Sequence, residues 1–169
     1  MRLYAALVAL FLFSTPIAHA DEVEEFQRKS LKGLKNLSVG YVHMPSELEQ
    51  NGSLTSDEIR TDVELKLRLA GIQVVDLKDF DSPSSSSSIL NVSVNAHSSS
   101  LGIWAISVNV GVMQPVMLDR DRSILTYGET WGLFRLGLLE KSMIRSVRET
   151  IKDMVDQFIN AYLAVNPKK

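Results

Sequence analysis

The sequence predicts a single-layer α+β domain, with a mixed or antiparallel sheet of about five strands covered on one face by two helices, the longer one C-terminal. Two segments, residues 55–70 and 139–165, have apolar residues at steps of three and four, which indicates amphipathic helices. Short β-type segments occupy residues 36–44, 72–75, 89–97, 103–113 and 125–133. The chain has 169 residues, which is the length of one domain.

The first twenty residues have the layout of a secretory signal peptide. Arg2 gives a positive start, residues 5–13 are apolar, and residues 18–20 (AHA) form a small-x-small cleavage pattern. The apolar run is too short to cross about 30 Å of hydrocarbon. We therefore expect cleavage near Ala20, export to the periplasm or exterior, and one mature domain over residues 21–169 without a transmembrane segment.

The amino-acid composition limits the cellular compartments and the classes of function that fit this protein. The sequence contains no cysteine, which excludes disulfides, thiolate catalysis, cysteine-ligated zinc and lipid attachment to an N-terminal cysteine. An exported domain of this size without disulfides favours a bacterial source. Hydrophobic residues make up 45% and charged residues 22%, as in folded soluble domains. A formal net charge of -2 indicates no nucleic-acid binder.

The start of the mature chain predicts a helix and then a strand. Residues 21–35 are charged with a few apolar positions, which suits a short amphipathic helix. The strand covers residues 36–44, and its Leu37, Val39 and Tyr41 alternate with their neighbours, so we expect these three to share a face.

A polar loop over residues 47–53, with a turn at Asn51-Gly52, leads into the next helix. Thr55 and Glu58 have the spacing of a capping box. One helical face then carries Ile59, Val63, Leu67 and Ala70. Gly71 ends the helix, and residues 72–75 form a second strand. The sequence leaves open whether this strand is adjacent and parallel to the first; if it is, the crossover should be right-handed.

A polar run over residues 81–88 predicts a surface loop. Three strands with short connections follow, which favours an antiparallel meander. Alternation predicts three shared faces: Leu90, Val92, Val94 and Ala96; Trp104, Ile106, Val108, Val110 and Val112; and Leu125, Tyr127, Glu129, Trp131 and Leu133. Pro115 marks an edge or a bulge, and the alternating charges of residues 119–122 mark a hairpin tip.

Residues 139–165 predict a long C-terminal helix that covers the sheet. Its apolar stripe consists of Ile144, Val147, Ile151, Met154, Phe158 and Tyr162. Asn166-Pro167 ends it. At 1.5 Å per residue the helix would span about 40 Å.

Motifs for catalysis and cofactor binding are absent from the sequence. The mature chain keeps His43 and His97 as its histidines, and no metal-binding, phosphate-binding or nucleophile-elbow motif occurs. We therefore predict no catalytic residue, no metal site and no cofactor. An enzyme that uses Glu129 or His97 as an acid or base stays as a minor alternative.

A basic stripe on the last helix is the predicted interaction surface. It consists of Lys141, Arg145, Arg148 and Lys152, spaced at steps of four, three and four. Such a stripe suits an envelope protein with an acidic surface or an anionic envelope component. The alternative is an ordinary solvated helix face that nearby acidic residues neutralise.

A second predicted surface would bind a ligand. It consists of Trp104 and Trp131 together with His97, which extends a polar row of Asn91, Ser93 and Asn95 along one strand. The alternatives are core packing for the two tryptophans and a solvated sheet face for the polar row.

Two stretches carry a resemblance to other proteins. The run LTSDEIRTDVELKLRLAGIQVV and, after the meander, VRETIKDMVDQFINAYLAVNP resemble a group of small exported bacterial proteins of unassigned function. The resemblance covers most of residues 36–167 and implies no catalytic residues. The order of elements is also similar to that of periplasmic α+β domains that serve as envelope accessory modules.

These observations favour a non-catalytic exported (periplasmic) interaction or accessory module. The alternative is a carrier of a small molecule or lipid, with a pocket between the sheet and the C-terminal helix lined by Trp104, Trp131 and Phe158. Neither a specific partner nor an oligomeric state is predicted.

Overall fold

The structure, a computed structural model, describes residues 18–50, 54–76 and 87–167. Most of the predicted signal peptide, the Asn51-Gly52 turn and nearly all of the serine-rich run lie outside the described residues.

The described chain has the predicted α+β class. Its elements are α1 (Ala18–Ser30), β1 (Asn36–His43), α2 (Ser46–Gln50), α3 (Ser56–Leu69), β2 (Gln73–Val74), β3 (Ser87–Ser98), β4 (Ile103–Leu118), β5 (Asp121–Glu140), a 3-10 helix (Lys141–Met143) and α4 (Ser146–Val165). The sheet has the order β2-β1-β3-β4-β5. The strand β1 is parallel to β2 and β3, and β3, β4 and β5 form an antiparallel meander, as predicted.

One face of the sheet packs against α3 and α4 to form the core. The sheet contributes alternate residues of β3 and β4, with Leu90, Val92, Val94, Val110 and Val112 all fully buried. From α4, the ring of Phe158 lies edge-on to that of Trp131, with 5.1 Å between their centroids, and no part of Phe158 is exposed. The two rings occupy the position where the carrier alternative places a pocket lined by Trp104, Trp131 and Phe158.

The start of α3 confirms the predicted capping box. The Glu58 amide donates to Thr55 Oγ1 at 3.2 Å, and the Thr55 amide donates to Glu58 Oε2 at 3.1 Å. The face predicted to be apolar is buried at Ile59, Val63 and Leu67. Gly71 follows the helix with a φ of 82°, a conformation that glycine adopts without strain.

A bulge in β1 makes one predicted face wrong. Val39 pairs with Leu90 and Val42 pairs with Val92, so two residues of β1 lie opposite the single residue Asn91. As a result Tyr41 is 70% exposed, whereas Val42 is buried. The extra residue reverses the alternation beyond Val39.

A second bulge, in β5, makes the predicted shared face of Glu129 and Trp131 wrong. Met113 pairs with Glu129 and Val112 pairs with Trp131, which leaves Thr130 as the extra residue. Glu129 therefore does not share a face with Trp131. Trp131 points into the core, while Glu129 is exposed on the opposite face of the sheet.

Two helix predictions are also wrong at their boundaries. The last helix begins at Ser146 and not near Leu139, because Leu139 continues β5 and pairs with Trp104. The predicted loop over residues 47–53 contains the short helix α2, whose Leu48 is fully buried. In both places a leucine that packs on the core, Leu48 fully and Leu139 partly buried, determines the local structure more than the polar residues around it.

The two ends of the described chain are joined by side-chain hydrogen bonds. Asn166, just after α4, donates to the carbonyls of Leu31 and Tyr162 at 2.9 and 3.0 Å and accepts from the Gly33 amide at 2.7 Å. The Tyr162 hydroxyl donates to the Leu34 carbonyl at 2.9 Å. These bonds hold the turn after α1 against the end of α4.

Candidate functional site

The face of β3, β4 and β5 that points away from α3 and α4 is open to solvent. We call it the open face. Its centre is polar: Ser93 pairs with Asn109, and Asn95 pairs with Ser107 across β3 and β4. The row Asn91, Ser93, Asn95 and His97 lies on this face, where the alternation of β3 predicts it.

An apolar stripe runs along the open face on β5. It consists of Phe134, Leu136 and Leu138, which are 59%, 72% and 73% exposed. We call these three residues the β5 stripe. They alternate with Arg135 and Gly137, which point to the helix side, and they lie beside Asn109, Ser107 and Ala105 of β4.

The β5 stripe lies on the outermost strand of the sheet. In the part of the chain that the structure describes, β5 has no strand neighbour on its outer side. Alternate backbone N–H and C=O groups of an edge strand point outward, available to another strand. The stripe therefore combines exposed apolar side chains with outward backbone groups, one of which, the Phe134 carbonyl, accepts a hydrogen bond from Arg135 Nη1 at 3.1 Å.

A cleft of about 250 Å³ lies on the helix side of the same strand, between β5 and the start of α4. Its lining includes Ile106, Val108, Gly137, Leu139 and Thr150. Arg135 also borders it and donates to Gln157 Oε1 at 3.3 Å. The apolar surface near the edge of β5 thus continues on both sides of the sheet.

Glu129 lies on the open face next to Phe134, the first residue of the β5 stripe, because both flank Asn109, and it is far from His97. Its carboxylate rests on the backbone of Gly111 and Gly132, where a Cβ at either glycine would overlap it. The side chain of Asn109 donates to Glu129 Oε2 at 3.4 Å. Gly111 pairs with Asn91 of β3, and His97 lies six residues further along that strand, a distance of about 20 Å. The structure does not bring the two enzyme candidates together.

The predicted basic stripe is divided between elements. Lys141 lies in the 3-10 helix, Arg145 precedes α4, and both are exposed. Arg148 binds Asp62 of α3 through Nε at 2.7 Å and Nη2 at 3.0 Å. Lys152 lies 3.0 Å from Glu149 and 3.7 Å from Asp62. Two of the four cations are therefore engaged within the fold.

Charge pairing at this helix contact shifts two pKa values. The hydrogen bonds from Arg148 lower the pKa of the Asp62 carboxyl, and Asp62 in turn raises the pKa of Arg148. The pair thus joins α3 to α4 in its charged form.

The predicted ligand residues lie on opposite faces of the sheet. Trp104 and Trp131 are 7% and 5% exposed and belong to the core, whereas His97 is exposed on the open face. A shallow cleft of about 320 Å³ lies beside Trp131, between α1 and α4. The three residues do not form one binding surface.

Two further kinds of site are absent from the described residues, a metal centre and a membrane-spanning helix. No three histidine, aspartate or glutamate side chains there are grouped so that they can hold a metal ion. In the same residues, no helix combines the length and the apolar character needed to cross a membrane.

The β5 stripe is the feature that sequence reasoning missed. The pattern Phe134, Leu136, Leu138 continues the period-two alternation of the third meander strand, which was predicted only as far as Leu133. Leu133 and Leu139 are also apolar but point to the helix side. A strand with apolar residues on both faces would have been the signal.

Comparison with known proteins gives limited information. No protein-family model matches the sequence, and no curated protein matches it. Among solved structures, the chain is similar to a minor lipoprotein from Acinetobacter baumannii, whose crystal structure was determined at 2.35 Å. The likeness covers 79% of this chain and 93% of that chain, with 14% sequence identity and a TM-score of 0.39. At these values it supports no argument about family or function.

Proposed function

We propose that this protein is an exported, non-catalytic interaction module of the bacterial envelope, and that it makes contact through the β5 stripe. The observation that carries the proposal is the run of three alternating apolar side chains, each more than half exposed, on the outermost strand of the sheet. The signal-peptide pattern and the absence of cysteine support export from a bacterial cell.

An exposed apolar edge strand is costly for a protein that has no use for it. Such edges favour aggregation, and natural proteins protect them with charged residues, prolines or bulges. Between Gly132 and Leu139 no proline occurs, and Arg135 is the single charged residue. Its side chain donates to Gln157 on the helix side and to the Phe134 carbonyl, a hydrogen bond that a partner strand would replace. The bulge at Thr130 lies before this segment, which is therefore left open to a partner.

Addition of a strand to a sheet edge is an established way to bind an extended segment or another sheet. Backbone hydrogen bonds supply affinity, and alternate side chains supply specificity. The β5 stripe provides the side chains for the open face, and the cleft near Gly137 and Leu139 provides apolar surface on the helix side.

The carrier alternative has less support. Phe158 and Trp131 pack directly against each other at the position of the predicted pocket. The remaining clefts near β5 are shallow and lie at the surface.

Photo-crosslinking in intact producing cells tests the proposal. A photoreactive amino acid is placed at Phe134 or Leu138, and in a control at Leu65 of α3, which is 54% exposed. A further variant carries it at Arg145 to test the basic stripe. We expect protein adducts from the two β5 positions and none from Leu65. Adducts from Arg145 alone would show that the partner binds the basic stripe and not the β5 stripe. An absence of adducts at every position would refute the interaction module.

A further inference from the structure

We infer that the partner at the β5 stripe is a second copy of this chain, paired antiparallel through β5 about a two-fold axis at Leu136. This inference rests on the proposed contact function of β5. It predicts a continuous ten-stranded sheet in the dimer, with the helices of both copies on one side.

Symmetry limits the registers that two copies can adopt. A two-fold axis perpendicular to the sheet keeps each residue on its own face, so the axis must pass at a single residue of β5. Placed at Leu136, the axis sets Phe134 opposite Leu138 of the second copy and Leu136 opposite its own equivalent. On the helix side it sets Leu133 opposite Leu139. Apolar residues thus meet apolar residues on both faces.

Registers with the two-fold axis one residue earlier or later place charged side chains opposite each other or opposite apolar ones. An axis at Arg135 sets two arginines directly opposite each other, which destabilises a strand pair. An axis at Gly137 sets Glu140 opposite Phe134 and Arg135 opposite Leu139. With the axis at Leu136, Arg135 lies opposite Gly137, which has open space around its Cβ position. This register also sets Glu140 opposite Gly132, on which the Glu129 carboxylate of the second copy rests. The apolar pairing and the separation of the two arginines therefore select the register.

The size of the contact indicates a reversible dimer. Pairing covers nine residues, Gly132 to Glu140, over about 30 Å of strand. At roughly 30–40 Å² per interface residue, this segment and the adjoining side chains bury on the order of 400 Å² from each copy, or about 800 Å² in total. That is below the roughly 1,200 Å² of a stable interface and is typical of a weak, transient contact. We expect a dissociation constant on the order of micromolar.

Cysteine pairing tests the register, because the chain has no cysteine of its own. The full chain is expressed with its own N-terminal segment and purified as the cell processes it. Under mild oxidation Leu136→Cys should form a disulfide-linked dimer, since directly opposite Cβ atoms lie about 5 Å apart. Phe134→Cys alone should not, because its equivalents lie about 13 Å apart. Mixing Phe134→Cys with Leu138→Cys should restore the link, and Leu65→Cys serves as the exposed control.

Sedimentation equilibrium gives a second measurement that does not depend on disulfide geometry. Leu136→Asp sets two carboxylates opposite each other and should raise the dimer dissociation constant at least about 100-fold. A native chain that stays monomeric at about 100 µM overturns the inference, as does a dimer that Leu136→Asp leaves intact. If the native chain is monomeric but Phe134 still crosslinks to another protein in cells, the dimer fails and the proposed function stands. If Phe134 forms no adduct either, both fail.

Discussion

Replacing the β5 stripe with serine should separate association from folding. The variant Phe134→Ser/Leu136→Ser/Leu138→Ser removes three side chains that are 59%, 72% and 73% exposed. Full burial of such a side chain contributes about 1.5–3 kcal/mol. Since each is only about one third buried in the single chain, the free energy of unfolding should fall by about 2 kcal/mol in total. That loss is small enough for a domain of ordinary stability to remain folded.

The same arithmetic predicts a larger effect on association. The exposed two thirds of each side chain become buried only when a partner binds, and they contribute about 1–2 kcal/mol each. Loss of all three on one copy should weaken association by about 100- to 10,000-fold, at 1.4 kcal/mol for each factor of ten.

The assay combines urea unfolding with sedimentation of the same samples. The matched control is Leu65→Ser/Leu69→Ser on α3, whose side chains are 54% and 77% exposed but lie away from the sheet. This control should lose a similar amount of stability and no association. The reasoning is refuted if the β5 variant associates like the native chain, or if the control weakens association equally.

Three further predictions concern the rest of the fold. Arg148→Met should lower the free energy of unfolding by about 1 kcal/mol at neutral pH, because the partly exposed pair with Asp62 is lost. The folded-state pKa of Asp62 is lowered, so the stabilisation is present above its unfolded pKa of about 3.9 and disappears as the pH falls through the folded value. Urea titrations should therefore show that the difference in the free energy of unfolding between the native chain and Arg148→Met is smaller at pH 2 than at pH 7. An equal difference at both pH values would contradict the pairing. Asn166→Ala removes hydrogen bonds of 2.7, 2.9 and 3.0 Å and should cost about 2 kcal/mol, measured by thermal unfolding, whereas an unchanged melting temperature would show that these bonds do not contribute. Phe158→Ala should cost about 3–5 kcal/mol by urea unfolding, because the ring is fully buried against Trp131; a cost below about 1 kcal/mol would indicate a loose interior and revive the carrier alternative.

Local signals in the sequence predicted much of the fold. The capping box at Thr55 and the apolar steps at Ile59, Val63 and Leu67 involve residues close along the chain, and α3 forms where they predict it. The antiparallel meander also agrees with prediction, because short connections leave few topologies. The parallel pairing of β1 with β2, which the sequence left open, is shown by the structure.

The errors arise where a partner strand decides the structure. The bulges at Tyr41 and Thr130 depend on the register with β3 and β4, and no local pattern marks them. Leu139 lies five residues before Ile144, so it does not continue the helical stripe of the last segment, and pairing with Trp104 keeps it in β5.

The candidate site was hidden from sequence reasoning for a related reason. Apolar residues are expected in the core, so Phe134, Leu136 and Leu138 indicate a surface only when the sheet order shows β5 at the edge. Arg148 shows the reverse error: the sequence predicts it as part of a free interaction surface, but it is paired with Asp62, which lies 86 residues away along the chain. Exposure and pairing of these side chains are properties of the tertiary structure.

Native mass spectrometry of the protein, released gently from its producing cells, tests the central claim most directly. The interaction module predicts a complex, either of two copies or with another protein, which dissociates when Phe134, Leu136 and Leu138 are replaced by serine. A bare monomer in the native sample would contradict that claim. A monomer with a few hundred daltons of added mass would contradict it as well, and would point to a carrier.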